Sequence, residues 1–412
     1  MMQKSLTVAA LFALTVLCPA VERASLAGKV TDAQGKPLEN ATVMIFHAGV
    51  KSGYSTFCPS CYVDCGKRAV TDRAGAFHFQ NLDPDLRFEL LVVREGYAPT
   101  FVEKVDPAQG PAPGAILTPR HPVTDTARVA RGRVVDSHGR PMRDAVVTPR
   151  GVSTGEGSMY GTIDGLEPIA VTNSNGEFEL ANSDRANGIL VQVEARAMAP
   201  KMFAVPTGAV PTTITVSDGS IVRGRLMNHG KPVAGAQLGL FPQHPAGFGM
   251  NLKISGDPYE EIRIGTQPDG TFVITNVPAH VDWFLYGKMD SITALGATKP
   301  VRLSTKQDDE QTNIGDIEIQ PGYRLAGKVA LSDGAKLAAG MRVTISATEG
   351  FDSQTALLGA DGRFEFHNVP PGDYELFPSV KGYALRGDST MNMAVDRDRN
   401  DIALTLDPAQ RR

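Results

Sequence analysis

Apolar and polar side chains alternate in short runs along most of this chain. Phe77 and Phe79, Phe178 and Leu180, Phe272 and Ile274, and Phe364 and Phe366 stand two positions apart, each pair just after a glycine. A period of two marks half-buried strands, because successive side chains on a strand point to opposite faces. The glycine and the polar residues before each pair supply the positive backbone angles of a tight hairpin. The runs FELLVVREGYAP, ILVQVEARAMAP, WFLYGKMDSI and YELFPSVKGYAL predict a further strand each, and AILTP, TITV, IEIQP and IALTLDP predict closing strands. No long helical periodicity appears beyond the opening segment.

The runs belong to a repeat. AGKVTDAQGKPLENATV, from Ala27 to Val43, matches RGRVVDSHGRPMRDAVV, from Arg131 to Val147. Gly28, Asp32, Gly35, Pro37 and Ala41 have the same offsets as Gly132, Asp136, Gly139, Pro141 and Ala145. A third copy starts at Arg223 and is one residue shorter; a fourth starts at Ala326 and carries Lys336 where the proline stood. The opening glycines fall at positions 28, 132, 224 and 327, spacings that describe whole domains in tandem instead of solenoid units. Strands bounded by frequent turns favour antiparallel sandwiches, and units of this size can bury enough surface to fold alone.

At these residues the pattern G-x-V-x-D-x-x-G-x-P-[LM]-x-x-A-x-V, followed by T-[DN]-x-x-G-x-F, resembles the carboxypeptidase regulatory-like domain. The resemblance is strong in the first two copies, good in the fourth and looser in the third. It implies an all-β chain of four tandem seven-stranded, transthyretin-like antiparallel β-sandwich domains after a signal peptide, grouped with carbohydrate-binding-like folds. The expected boundaries are 1–20 for the signal peptide, then 26–120, 128–218, 220–321 and 323–408. Such modules accompany peptidases, glycan-active enzymes and outer-membrane receptors without performing chemistry, so the resemblance implies fold more than function. Related B-type surface domains form a Lys–Asn isopeptide bond promoted by a Glu; Val92 and Pro378 occupy that position here, so no such bond is expected.

Charge and the N-terminus narrow the setting. A formal net charge of −4 with 21% charged residues describes an ordinary surface and gives no reason to expect nucleic acid. Lys4 precedes an apolar run from Leu6 to Leu17, and small Ala20 follows. That is a secretory signal, too short for a comfortable membrane span. Acylation of Cys18 is the weaker reading, because Leu17 stands where a lipobox needs a small residue. No further span follows, so the mature chain is expected to be exported: periplasmic, at the cell surface or secreted.

Catalytic patterns are missing. None of the eight histidines begins H-x-x-E or H-E-x-x-H. GVSTG, from Gly151 to Gly155, satisfies G-x-S-x-G but lies in a Gly/Ser-rich stretch without the following helix a nucleophile elbow requires. Asp72, Asn173, Asn175, Asp269 and Asp361 read as turn formers, since each turn has too few oxygens for calcium. The expectation is a non-enzyme.

Specific function is expected in the loops that distinguish the copies. The stretches Gly35 to Gly75, Gly139 to Gly176 and Gly230 to Gly270 all exceed Gly334 to Gly362, which places an insertion after the second strand of the first three copies. Those insertions carry Tyr54, Phe57 and Tyr62, then Met159 and Tyr160, then Phe248, Met250 and Tyr259. Exposed aromatics there would stack on a glycan or anchor an envelope protein; folded back, they would form a local core beneath the loop. The first insertion also contains Cys58, Cys61 and Cys65. Three readings stay open: a disulfide, for instance Cys58 to Cys65, with one thiol left over; zinc or another metal held with His47 or His78 as fourth ligand; or free or intermolecular thiols. Two function classes follow, a non-catalytic binding or scaffold protein of the cell envelope and an extracytoplasmic metal-binding or thiol-redox protein.

Overall fold

The computed structural model describes residues 22–155, 157–243, 261–350, 352–387 and 389–409. The predicted leader, Cys18 and the loop residues Phe248, Met250 and Tyr259 lie outside them.

The first unit has strands β1 (Ala24–Asp32), β2 (Thr42–Val50), β3 (Arg68–Val70), β4 (Ala76–Leu82), β5 (Leu86–Val93), β6 (Thr100–Val105) and β7 (Ala115–Leu117). They form two sheets, in the order β4-β1-β7 and β3-β2-β5-β6. Between the sheets lies one buried cluster that includes Leu26, Val30, Val43, Ile45, Phe77, Phe79, Phe88 and Leu90. Each fully buried Leu or Phe contributes about 2 kcal/mol by leaving water.

This plan recurs three times. Val129–Val135, Ser220–Asn228 and Tyr323–Leu331 each take an antiparallel neighbour on one side, as β1 takes β4, and a parallel neighbour on the other, as β1 takes β7. The described residues form eight sheets and enclose four principal buried clusters. The later units add a short strand to the shared seven: Gly157–Tyr160, Lys231–Pro232 and Tyr383–Leu385 respectively. The parallel closing strand departs from a purely antiparallel plan. The chain leaves one sheet after β6 and crosses to the other, so β7 arrives in the direction of β1; local alternation carries no signal for that crossing.

The repeated residues have packing reasons. Gly28 pairs with Phe77, Gly132 with Phe178, Gly224 with Phe272 and Gly327 with Phe364. A Cβ at these glycines would stand 2.4 to 2.8 Å from the partner ring, so the motif glycine exists to let the phenylalanine lie across the strand. Gly75 is needed for a different reason: its φ is +70°, and a Cβ would stand 2.4 Å from the Val30 carbonyl oxygen. Buried Thr71 accepts from the Ala41 amide and donates to the Leu38 carbonyl, closing the long β1–β2 connection onto the hairpin. Thr172 and Thr266 repeat both bonds, and Leu358 replaces the threonine in the fourth unit. Asp72 and Asn173 accept amide hydrogens two and four residues ahead, so they act as turn formers.

Candidate functional site

The cysteine insertion is folded tightly onto its own sandwich. Three backbone bonds hold it to β2: Ala48 to the Pro59 carbonyl, Ile45 to the Lys67 carbonyl, and Gly66 to the Ile45 carbonyl. Its base is fixed by Asp64, 1% exposed, which meets Lys67 at 2.6 Å and Arg23 at 3.2 Å and accepts the Asp83 amide at 2.9 Å. Tyr62 packs against the first core, hydrogen-bonds Ser55 through its hydroxyl, and holds Phe57 edge-on at a ring separation of 5.6 Å.

Cys58 and Cys61 form a disulfide with Cα atoms 5.1 Å apart. Cys65 is the remaining thiol, buried, and donates to the Pro59 carbonyl at 3.3 Å. Burial pushes its pKa up to about 11, against smaller lowering effects of the Tyr62 backbone and Arg196. The bridge therefore spans Cys58 to Cys61, one of the pairings the sequence leaves open, and not the Cys58 to Cys65 closure given there as an instance. The Cys58 carbonyl receives the Cys61 amide, a local turn that brings those two sulfurs together, while Cys65 is carried inward with Tyr62. Two of the three sulfurs are thus bonded to each other. His47 meets Glu89 at 2.8 Å, and His78 projects to solvent from β4 in the opposite sheet. Among the described residues no three His, Cys, Asp or Glu side chains gather as a metal-holding group.

The outer side of the loop touches two other sandwiches. Toward the second, Ser60 Oγ accepts the Ala197 amide at 3.3 Å, and the Arg196 guanidinium lies over Gly66, where a Cβ would stand 2.7 Å from Nη1. Around this contact Met44, Phe46 and Leu91 of the first unit pack with Val146 of the second, while His47 reaches Glu194 and Arg68 pairs with Asp144. Toward the third, the Gly265 amide donates to the Ser55 carbonyl at 2.6 Å, and Cys61 Sγ lies 3.4 Å from Asn276 Oδ1. Asn276 in turn donates to the carbonyls of Ala197 and Asp218, at 2.7 and 3.0 Å. Three sandwiches meet at this loop.

The sequence-selected aromatics do not form one surface. Tyr62 is half-buried against the first core, while Tyr54 and Phe57 are 37% and 56% exposed beside the three-way contact. Tyr160 is 49% exposed on the second sandwich; Phe248 and Tyr259 are outside the described residues. Ser55, Ser60, Arg196, Gly265 and Asn276 carry no chemical motif and were not selected from sequence. One signal was available: Asn81, Asn276 and Asn368 recur near the end of the Phe strand, all with φ between 50° and 57°. Asn368 serves the next junction as Asn276 does, donating to the Thr293 carbonyl at 2.7 Å. That junction also contains Lys288, held by Glu261 at 2.9 Å and Asp352 at 3.1 Å, and burial raises the Asp352 carboxyl above the usual range.

Fold and site together define a tandem β-sandwich protein with an internal disulfide. Residues 25–118 match the carboxypeptidase regulatory-like domain family, and residues 321–406 match the BOS complex subunit NOMO1-like second beta sandwich domain. The one description is of a regulatory-like domain and the other of a beta sandwich domain, which points to a non-enzyme. No curated protein matches the sequence. Similar solved structures include the Bacillus anthracis TIE protein, at 10% identity over 90% of this chain and 68% of that one, with a TM-score of 0.19. A minor pilin of Streptococcus agalactiae has 11% identity over 47% of this chain and 98% of its own, with a TM-score of 0.24. The major pilin subunit of Bacillus cereus has 12% identity over 73% and 100%, with a TM-score of 0.17. TM-scores of this size carry no weight for function. No helix among the described residues is long and apolar enough to cross a membrane.

Proposed function

We propose that the chain is an exported, non-catalytic scaffold of the cell envelope, whose sandwiches act as domains held in a fixed arrangement while exposed loop ends receive a glycan or a protein partner. The observation that carries this reading is the docking of the cysteine loop, through Ser55, Ser60 and Cys61, onto both the second and third sandwiches. A loop anchored at three places holds domains; it does not sweep for ligand. The disulfide supports export, since such bonds persist in oxidising compartments. Arrangement and export are tested together by small-angle scattering on the mature chain and by cell fractionation. The expected results are a single compact profile that loosens when Cys58 and Cys61 are both replaced by serine, and recovery outside the cytoplasm. A profile of freely jointed domains in the intact protein, or retention in the cytoplasm, contradicts the proposal.

A further inference from the structure

The outer face of the second sandwich carries a feature outside the clasp that the cysteine loop forms with its two neighbours. Its insertion extends strand Val146–Thr154 into a hairpin with Gly157–Tyr160, which lies at the edge of a sheet continued by Gly188–Glu194 and Lys201–Pro206. The strand register lines up two rows across that face. One runs Ser158, Ser153, Gly188, Pro206; the other runs Tyr160, Gly151, Leu190, Ala204. Val152, Ile189 and Val205 alternate with them and point into the core, at 3%, 0% and 0% exposure. The result is a groove of about 310 Å³.

Its chemistry is selective. The Tyr160 ring lies against Gly151, where a Cβ would stand 3.0 Å from Cδ1, so the ring is laid along the sheet while remaining half exposed. Gly151 and Gly188 open the floor beside Leu190, Ala204 and Pro206. Ser153, Ser158 and Asn187 bring two hydroxyls and an amide, none with a side-chain partner among the described residues. Among the described residues no charged side chain lines the groove. An aromatic plate, a flat floor and uncharged groups that both donate and accept match a pyranose ring, which offers an apolar C–H face and a rim of hydroxyls. Phosphate or carboxylate ligands would find no counter-charge. An extended peptide would need free backbone groups, which a sheet has at its edge and not on its face.

We infer that this groove is a binding site for a neutral sugar ring, stacked on Tyr160 and hydrogen-bonded by Ser153, Ser158 and Asn187. The inference rests on the scaffold reading above and names the ligand class for one of its exposed loop ends. The test is saturation-transfer NMR on the full mature chain with neutral disaccharides built from glucose, galactose, mannose or N-acetylglucosamine. The expected result is transfer to at least one sugar, weakened about tenfold or more in affinity by Tyr160→Ala and abolished by filling the floor with Gly188→Val. Tyr54→Ala, at the clasp, should leave binding unchanged, and circular dichroism should show both groove variants folded. No transfer to any sugar, or transfer unaffected by both groove variants, overturns the inference. The scattering and fractionation results read the scaffold separately, so a compact exported protein without sugar binding would sink only the groove.

Discussion

The first and second sandwiches enlarge the same connection, after their second strand, and put it to opposite uses. In the first, the insertion is drawn inward by Tyr62 packed against the core, by Asp64 under Lys67 and Arg23, and by the Cys58–Cys61 bridge, and its outer side is touched by two neighbours. In the second, the chain runs on as a hairpin whose strand Gly157–Tyr160 is exposed throughout. The difference lies in the anchors. Topology fixes where a loop emerges, while a half-buried aromatic packed on the core, a buried carboxylate and a disulfide decide whether it becomes part of the framework or stays available to solvent.

That contrast can be broken at several strengths. The largest effect is expected from Tyr62→Ala, which removes a half-buried aromatic packed against the first core and should destabilise the unit by about 2 kcal/mol, measured by urea unfolding. Tyr62→Phe should cost about 1 kcal/mol, the share of the Ser55 hydrogen bond. Next comes the thiol. At pH 8 the folded protein should show one cysteine, alkylated about a hundredfold more slowly than an exposed one, since burial keeps it protonated. The folded pKa of about 11 exceeds the ordinary 9.0, so the contribution of Cys65 to stability is fully present below pH 9 and is lost as pH rises toward 11. A readily alkylated native Cys65 would contradict the packing.

Replacing Cys58 and Cys61 together by serine opens a very short loop, with an expected cost of about 2 kcal/mol in the chain-entropy model. The smallest effect belongs to the open hairpin: Tyr160→Ala should change stability by less than about 0.5 kcal/mol, because an exposed ring leaves no cavity. If Tyr160→Ala proved as destabilising as Tyr62→Ala, the two loops would not differ in kind.

Much of the fold was legible in the residues themselves. Gly28 and Phe77, with their three counterparts, are a contact written as a motif, and Asp72 and Asn173 sit where their turns require them. The repeat therefore showed through as strands, turns and copies. The crossing that makes β7 parallel to β1 was hidden, because alternation describes one strand and not its partner. The cysteine cluster was legible as a candidate, yet its pairing was not, since Cys58, Cys61 and Cys65 are all close enough in sequence to meet. What the loop binds was hidden altogether: Gly265 and Asn276 lie some two hundred residues away in the chain and contribute a backbone amide and an ordinary repeated asparagine.

Contact between the cysteine loop and the third sandwich is reported directly by the Gly265 amide, because it donates to Ser55 of another unit. Hydrogen exchange followed by mass spectrometry should show the Ile262–Gly265 strand protected at Gly265 in the intact chain. Exchange there should quicken in the Cys58→Ser, Cys61→Ser variant, while the corresponding strand of the fourth sandwich, Ser353–Leu357, stays unchanged. A Gly265 amide that exchanges freely in the intact protein, or at the same rate with and without the disulfide, would contradict the clasp.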